Sequence, residues 1–403
     1  MTKTPQHNVP ELRFPEFEGE WEEKKLGDIA SFSKGKSLSK KDISENGVAC
    51  ILYGELYTKY NAFIDEIYSK TSVDKSTLVQ GKENQILIPS SGETSEDIAT
   101  ASCLVSNKVV YIGGDINIIT PKKDKGRFIS LSLNSVNKNE IAKFAQGKSV
   151  VHLYNDHLKK TKIKIPNNLN EQEKIGTFFS KLDHQIELEE KKLELLEQQK
   201  KGYMQKLFSQ EIRFKDNKGN NYPDWKIVEI GDVLEERTER SGEGDMLSVT
   251  INNGIIKFDE IDRKDNSSKD KSNYRKVYKD DIAYNSMRMW QGASGKSEYE
   301  GIVSPAYTVT IPSENINPDF IAYYFKTHKM IHKFKINSQG LTSDTWNLKY
   351  RQLKDIKLNL CSKEEQNKIA NLLIMYDKLI NKQKHKLEIL KTNKKGFLQK
   401  MFV

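Results

Sequence analysis

The sequence predicts an α+β protein in which two α/β domains alternate with two long helices. The helices are expected to pair as an antiparallel intramolecular coiled coil with pseudo-two-fold symmetry. Three observations support this fold class. A long helical segment, Glu171–Phe208, returns without a gap as Glu365–Phe402. Short motifs at the start of each half also repeat. Between these motifs, short β-rich runs alternate with turn residues, as expected of α/β domains.

Each long segment carries a heptad seam. Apolar residues recur at alternating steps of four and three, a spacing that places them on one helix face against a partner. The polar exceptions fall at the same two steps, Glu189 and Lys200 in the first segment and Gln383 and Lys394 in the second. The residues expected to pair the helices and support assembly are Ile175, Phe179, Leu182, Ile186, Leu193, Leu196, Tyr203 and Leu207, with Ile369, Leu373, Tyr376, Ile380, Leu387, Leu390, Phe397 and Met401.

The charges of the two segments favour pairing with each other. The first carries seven lysines against eight acidic residues, and the second carries nine lysines against three. A long apolar seam needs a partner, and the oppositely biased copy in the same chain is the nearest candidate. The alternatives are two unrelated bundle helices or a parallel homodimeric coil.

The repeat extends beyond the helices, which indicates duplicated domains. Two opening motifs recur: Glu11–Phe14 as Glu211–Phe214, and Trp21 with Leu26-Gly27-Asp28 as Trp225 with Ile230-Gly231-Asp232. The residues between them have diverged, which suggests two related surfaces for different targets. The predicted organisation is a first variable domain (1–166), a first long helix (167–210), a second variable domain (211–360) and a second long helix (361–403).

The interior of each domain is predicted from β-rich runs bounded by glycine and proline. Short helices are expected at 139–146 and 319–334, and closing strands at 161–166 and 353–358. The expected inner strands are 49–53, 85–88, 109–112 and 116–119 in the first domain, and 246–251, 282–284 and 306–311 in the second.

Composition limits the cellular context. The net charge of +9 favours a polyanionic partner, although an anionic membrane surface fits equally well on charge alone. No apolar run approaches the length of a membrane span, and the amino terminus lacks a signal-peptide core. Three scattered cysteines cannot form a disulfide framework. A cytoplasmic protein without a membrane association is therefore expected.

Basic and polar residues on predicted loops are candidates for DNA contact. Arg288 has the geometry to bind guanine and Gln291 to bind adenine. For the basic candidates, a solvated loop is the alternative. The basic candidates for phosphate contact are Lys34, Lys36, Lys40, Lys41, Arg237 and Arg240. The polar candidates after predicted strands are Ser90, Ser91, Glu93, Thr94, Arg288 and Gln291, and those before the closing strands are Lys148, Ser149 and Ser343.

The ordered set of motifs resembles the specificity subunit of type I restriction-modification systems. Each long helix opens with Glu-Gln, at Glu171-Gln172 and Glu365-Gln366, and ends with Lys-Lys-Gly-aromatic, at 200–203 and 394–397. The Leu26-Gly27-Asp28 motif with its repeat, and Asn285–Ala293, also fit this family. One departure is Cys361-Ser362, which stands where a proline often precedes the second helix.

The resemblance implies a non-catalytic protein that directs a larger complex. Each variable domain would recognise half of an asymmetric bipartite site in double-stranded DNA. The helices would set the spacing and hold two modification (methyltransferase) subunits, through which restriction (translocase and nuclease) subunits join. S-adenosylmethionine, ATP and Mg²⁺ would be used by these partners, with no cofactor, metal or catalytic residue in this chain.

Alternative functions have weaker support in the sequence. Ser304–Tyr307 and Asn317–Phe320 each nearly match the signature of amino-methyltransferases, but no glycine-rich turn for the methyl donor follows a strand. Asp224 with 262–264 resembles a nuclease set only loosely, and His328 with His332 lacks an evident third zinc ligand. A coiled-coil scaffold that binds DNA without sequence preference remains the main alternative.

Overall fold

A computed structural model describes residues 8–36, 38–147, 150–261 and 268–403. The chain divides into two compact units. The first unit comprises residues up to Glu190 together with His385–Val403, and the second comprises Lys191–Lys384. Each long helix therefore contributes residues to both units. Among the described residues, no helix combines the length and apolar character that a membrane crossing requires.

The first unit is built around two mixed sheets. Its elements are β1 (Glu22–Lys25), α1 (Leu26–Ile29), β2 (Ala30–Lys34), β3 (Ile43–Ile51), α2 (Glu55–Thr58), β4 (Phe63–Ile64), β5 (Ser69–Thr71), β6 (Val79–Gly81), β7 (Ile86–Pro89), β8 (Ser91–Gly92), α3 (Ser95–Ile98), β9 (Ser102–Leu104), β10 (Val110–Ile112), β11 (Ile116–Pro121), α4 (Gly126–Asn134), α5 (Lys138–Lys143), β12 (Val151–His152), α6 (Asn155–Leu158) and β13 (Lys162–Ile165). The sheet orders are β2-β11-β7-β9-β4 and β5-β3-β10-β6. The first long helix, α7 (Leu169–Phe208), follows.

The second unit has smaller sheets. Its elements are β14 (Lys226–Glu229), β15 (Leu234–Glu236), β16 (Leu247–Thr250), β17 (Gly254–Lys257), β18 (Arg275–Val277), β19 (Ile282–Asn285), β20 (Ser294–Lys296), β21 (Gly301–Val303), β22 (Tyr307–Pro312), α8 (Pro318–Phe325), α9 (His328–Asn337), α10 (Tyr350–Leu353) and β23 (Lys357–Leu360). The main sheet has the order β15-β22-β19-β20. The second long helix, α11 (Lys363–Lys400), follows.

Both units share a sheet and a closing ladder. In the first, β11 lies between β2 and β7, and in the second β22 lies between β15 and β19, with all four pairings antiparallel. The opening strand of each unit pairs antiparallel with its closing strand, β1 with β13 and β14 with β23. The duplication seen in the sequence therefore extends to the topology of each unit.

Glycine in the repeated Leu/Ile-Gly-Asp motif is required by a close backbone approach. The Gly27 amide donates to Lys159 O at 3.1 Å, and the Gly231 amide donates to Lys354 O at 2.8 Å. A Cβ atom would lie 3.1 Å from Lys159 O at the first position and 2.9 Å from the Lys354 side chain at the second. A larger residue would push the opening segment away from the closing turn of its unit.

The two long helices run antiparallel in both units, as predicted. In the first unit Asp183 pairs with Lys394 and Glu190 with Lys391, at 2.5 Å each. In the second, Glu197 pairs with Lys384 at 3.0 Å and Lys200 with Asp377 at 2.6 Å. In each unit the residue numbers rise along α7 as they fall along α11. The polar seam positions Lys200 and Lys394 thus form ion pairs between the helices.

Most of the predicted seam is buried. Tyr203 differs, because its side chain is 40% exposed and its ring lies 5.6 Å from that of Tyr376 between centroids. The buried seam residues are Ile175, Phe179, Ile186, Leu207, Ile369, Leu373, Tyr376, Ile380, Leu387 and Met401. The half-buried ones are Leu182, Leu193, Leu196, Leu390 and Phe397.

Two predicted elements are divided or shortened in the structure by a change of backbone conformation. The helix expected over 319–334 is interrupted after Phe325, because Thr327 accepts a hydrogen bond from the Met330 amide and starts a separate helix. The closing strand expected over 353–358 starts only at Lys357, since residues 350–353 form the short helix α10. The alternating apolar pattern did not distinguish the end of this helix from the strand.

Candidate nucleic-acid interface

The Glu-Gln motif at the start of each long helix holds the opening segment of its unit. Arg13 Nε and Nη2 donate to the two carboxylate oxygens of Glu171 at 2.7 and 2.8 Å. In the second unit, Arg213 donates to Glu365 through the same atoms, at 3.2 and 2.8 Å. The indole of Trp21 or Trp225 adds a further bond to the same carboxylate, at 3.3 and 3.2 Å.

The adjacent glutamine fixes the backbone around each helix start. Gln172 accepts from the Lys125 amide at 2.9 Å and donates to Pro166 O at 2.8 Å. Gln366 makes the same pattern, accepting from the Asn317 amide at 2.9 Å and donating to Cys361 O at 3.0 Å. The carbonyl acceptor before the second helix is thus provided by Cys361 in place of a proline. The motif is a structural joint between helix and domain.

This frame positions one loop after β7 and another after β19, at equivalent places. The Leu153 amide donates to Ser90 O at 3.1 Å, and the Leu348 amide donates to Ser286 O at 2.9 Å. The backbone amide of each serine donates to the residue that directly precedes the central strand. The Ser90 amide donates to Asp115 O before β11, and the Ser286 amide donates to Ala306 O before β22. Matching backbone contacts therefore support loops whose sequences differ.

A second loop in each unit lies beside the first. The Gln146–His152 bridge closes one, and the Gln339–Asn347 bridge closes the other. Each loop begins with a glycine in a conformation that side chains rarely adopt, with φ of +133° at Gly147 and +147° at Gly340. A Cβ at either glycine would collide with a backbone carbonyl, which explains the residue type at these two turns.

The lysine candidates of the first unit are exposed. Lys34 ends β2 and its ammonium group lies 5.7 Å from the centre of the Tyr154 ring. Lys36 lies in the following turn, while Lys40 and Lys41 occupy a 3₁₀ turn further along. All four can approach a phosphate without breaking a described ion pair or side-chain hydrogen bond.

The polar candidates of the first unit have different environments. Ser90 and Ser91 are buried, and Ser91 Oγ lies 3.1 Å from His152 Nδ1. Their contact with bases stays a prediction. Glu93 and Thr94 are exposed, and Thr94 accepts from the Asp97 amide at the start of α3. The predictions for Lys148 and Ser149 lie outside the described residues.

Two residues of this surface were not predicted from the sequence. His152 is exposed next to Ser91, and Tyr154 is 47% exposed with its ring between those of His152 and His157. They extend the surface that carries Lys34. The spacing of Tyr154 and His157 along the chain matches no recognisable motif. His152 comes to lie beside the first loop only through the pairing of β12 with β8.

In the second unit, four candidates remain available and one is engaged inside the unit. Arg288 is half-buried, while Gln291 and Ser343 are exposed. Arg240 is exposed and donates to Asn273 at 2.7 Å. Arg237 donates to both carboxylate oxygens of the buried Asp281, at 2.7 and 2.9 Å, which raises the pKa of the guanidinium and occupies it inside the unit. A phosphate contact of Arg237 would therefore require breaking this internal ion pair.

Lys326 supports the loop that carries Arg288 and Gln291. Its ammonium group donates to Gly292 O at 2.5 Å and to Ile251 O at 2.8 Å. Gly292 ends the loop in a left-handed conformation, with φ of +84°. Burial lowers the pKa of Lys326 to about 8, because the charged form loses hydration. No sequence pattern singled out this lysine.

The near-matches to catalytic motifs have structural roles or lie outside the description. Asn317 accepts from the Phe320 amide at 2.9 Å, so Asn317-Pro318 begins α8. His328 and His332 both lie on α9, and in the described ranges no group of three His, Cys, Asp or Glu side chains is placed to hold a metal ion. Residues 262–264, part of the loose nuclease pattern, lie outside the described residues.

Comparison with known families decides the identity of these repeated units. Residues 18–198 and 222–391 each match the profile of the "Type I restriction modification DNA specificity domain". The chain belongs to this family. The resemblance seen in the sequence is confirmed, and each specificity domain contains one of the paired-loop surfaces described above. The specificity subunits of type I systems are not themselves the catalytic subunits.

Two relatives agree with this assignment, and one solved structure shares the fold. The MjaVIII specificity subunit of Methanocaldococcus jannaschii is 27% identical over 258 residues, covering 62% of this chain and 56% of the relative. This chain thus spans little more than half of that relative. The putative MjaX specificity subunit of the same organism is 24% identical over 419 residues, covering 97% and 95%. The type I S subunit of M. genitalium shares the fold, with a TM-score of 0.62 at 17% identity over 98% of this chain and 99% of the other.

Proposed function

We propose that this specificity subunit binds an asymmetric bipartite site in double-stranded DNA, with each specificity domain recognising one half. It also docks two modification subunits and so directs adenine methylation and restriction by the complex. The chain itself contributes recognition and assembly. Methyl transfer, translocation and cleavage are assigned to partners that use S-adenosylmethionine, ATP and Mg²⁺.

One observation carries the two-site proposal: the same supporting contacts hold loops of different sequence in the two units. The hydrogen bonds from Leu153 to Ser90 and from Leu348 to Ser286 are equivalent. The loops they support carry Ser-Ser-Gly-Glu-Thr in one unit and Ser-Met-Arg-Met-Trp-Gln in the other. Side chains on equivalent loops determine which base edges are contacted, so different sequences imply different half-sites.

The long helices supply a surface that fits modification subunits. Their seam is occupied by the helix pairing, yet further apolar side chains on the outside remain exposed. On α11, steps of four and then ten place Met375, Leu379 and Ile389 on one face, and on α7 Leu188 and Leu195 are seven residues apart. Each of these side chains is between 42% and 54% exposed. Such a face is suited to helices of a partner protein.

The cellular setting follows from this role. DNA, modification subunits and restriction subunits must all reach the chain, which places it in the cytoplasm with the host DNA. The basic net charge of +9 supports contact with a polyanion.

A binding competition tests the proposal. The chain, assembled with the modification subunits of its own system, is bound to labelled genomic fragments in the presence of excess random-sequence DNA. We expect a subset of fragments that share a two-part sequence to survive competition. Purified chain supplied with methyl donor alone should leave DNA unmethylated. Methylation by the isolated chain would contradict the assignment of catalysis to its partners.

The scaffold hypothesis gives a different result in the same assay. A coiled-coil protein that holds DNA only through phosphates shows no preferred fragment, and its affinity falls with salt equally for all sequences. The exposed lysines Lys34, Lys36, Lys40 and Lys41 are compatible with that behaviour. The paired loops with distinct side chains favour the sequence-specific alternative.

A further inference from the structure

The 339–347 loop of the second unit has an apolar tip on a rigid base. Leu341 is fully exposed, at 101% of its reference area. The backbone amides of Gln339 and Asn347 donate to each other's carbonyls, at 3.0 and 2.8 Å, and close the loop. A leucine held this far into solvent gains nothing from the fold, since burying it would stabilise the protein by about 1.5–3 kcal/mol.

Threonine hydrogen bonds fix the turn behind the leucine. The Thr342 amide donates to Thr345 Oγ1 at 3.1 Å, and Thr345 Oγ1 donates to Thr342 O at 2.9 Å. The Thr345 amide also donates to Thr342 O, at 3.0 Å. A Cβ at Gly340 would lie 2.6 Å from Thr345 O, so the turn admits only glycine there. The backbone of the turn is therefore held by these hydrogen bonds, which lowers the entropic cost of ordering the loop on binding.

The base of the loop is joined to the loop that carries Arg288. The Trp346 and Trp290 rings meet edge to face, with centroids 5.2 Å apart. Trp290 Nε1 donates to Met287 O at 3.1 Å, and Lys335 lies 5.6 Å from the centre of the Trp346 ring. Leu348, directly after the loop, is fully buried. The apolar tip and the Arg288 loop thus belong to one connected surface.

The residues of the tip match the major groove better than the phosphate backbone. An acidic side chain, Asp344, lies three positions from Leu341 and is exposed. Near phosphates a carboxylate is repelled, whereas on a base edge it accepts a hydrogen bond from the cytosine amino group. The thymine methyl is the apolar feature of the major groove, and an aliphatic side chain is its natural partner.

Resting on the proposed function, we propose that the 339–347 loop enters the major groove of the half-site recognised by the second unit. Leu341 contacts a thymine methyl there and Asp344 accepts from a cytosine amino group. These two side chains add recognition of T and C to the recognition by Arg288 and Gln291. They make the loop a specificity determinant of that half-site.

Replacing each thymine of the identified site with deoxyuridine tests the inference, because only the methyl is removed. For the complex with modification subunits, we expect about a fourfold loss of affinity at one thymine of one half-site, the value for one buried methyl group. The complex with the Leu341→Ala chain should bind the thymine-containing site at least about fourfold more weakly than the unaltered complex. Its affinity should no longer change when that thymine is replaced with deoxyuridine. Ile227→Ala is the matched control, because Ile227 is an aliphatic residue on β14 that is 71% exposed. The complex with this variant should keep the affinity and the deoxyuridine sensitivity of the unaltered complex.

Asp344→Asn gives a second readout, because it exchanges an acceptor for a group that also donates. It should weaken discrimination at one cytosine of the same half-site. The inference is overturned if that half-site has no thymine whose methyl affects binding, or if Leu341→Ala keeps the deoxyuridine sensitivity. Failure of the unaltered complex to prefer any DNA sequence would instead contradict the proposed function.

Discussion

At the scale of single residues, a buried glutamate joins each long helix to its domain. Glu171 and Glu365 each accept from an arginine and a tryptophan of the opening segment. The sequence showed that these residues repeat, but their spacing along the chain could not show that they meet. The contact spans some 150 positions, and only the antiparallel pairing of opening and closing strands brings the groups together.

Removing one of these carboxylates should destabilise its unit. Glu365→Ala leaves the Trp225 N–H without its acceptor and leaves Arg213 only its bonds to Tyr222 O, Pro223 O and Asp224. We expect a loss of about 1–3 kcal/mol, the cost of an unsatisfied buried hydrogen-bonding group. Urea unfolding measures the effect. Glu388→Ala on the same helix is the control, because the Glu388 side chain is 79% exposed. Equal unfolding midpoints for the two variants would show that the buried contact does not hold the joint.

Lys326 should make the second unit more stable at alkaline pH. Its pKa in the fold is about 8, whereas an unfolded lysine titrates near 10.4. Between these values the unfolded chain binds more protons, so the free energy of unfolding rises with pH. The gain begins near pH 8 and levels off only above about pH 10.4, where the unfolded lysine also loses its proton.

Comparing urea unfolding at several pH values with that of Lys326→Met isolates this contribution. The stability of the unaltered chain relative to the variant should increase from pH 8 to pH 10. Lys378→Met, at an exposed position on α11, should follow the unaltered chain at every pH. A constant difference between Lys326→Met and the unaltered chain would mean that Lys326 keeps its ordinary pKa.

At the scale of elements, four of the ion pairs between α7 and α11 form two sets, each related by the repeat. Asp183–Lys394 and Lys200–Asp377 occupy equivalent positions of the repeat, and each helix supplies one acid and one base. Glu190–Lys391 and Glu197–Lys384 are also equivalent, but α7 supplies both glutamates and α11 both lysines. Pairing α7 with another α7 would place glutamates opposite each other, so these charges favour the heterotypic pair.

Charge exchange between the helices tests this assignment. Reversing Lys384 and Lys391 to glutamate should lower the free energy of unfolding by about 1 kcal/mol, since exposed pairs contribute about 0.2–1 kcal/mol each. Adding Glu190→Lys and Glu197→Lys restores opposite charges and should recover most of the loss at low salt. A fourfold variant that is no more stable than the twofold one would show that the pairs do not interact.

A break in the helix seam should abolish assembly. Leu387→Pro removes a buried seam residue and a helical hydrogen bond, at a cost of about 3 kcal/mol or more. Leu193→Pro should act in the same way on α7. Leu387→Met preserves volume and should leave the helix intact. Size-exclusion chromatography with modification subunits measures assembly, and complex formation by the proline variants at normal yield would contradict a role for the helices in docking.

At the scale of the whole molecule, duplication made the frame predictable and the recognition surface less so. Equivalent residues repeat along the seam and at the opening motifs, so the helices and their antiparallel pairing followed from the sequence. The loops have diverged, and their side chains depend on tertiary partners. Hence Arg237 was expected on the surface but binds Asp281, while His152 and Lys326 were recognised only once strands and loops were in place.

The central claim is that one chain joins two recognition domains of different specificity. Mapping methylated adenines across the genome, in cells with and without this chain, tests it most directly. The account predicts one asymmetric motif in two parts with a fixed separation, and Arg288→Ala should alter one part only. A continuous or palindromic motif, or a change in both parts after Arg288→Ala, would contradict it.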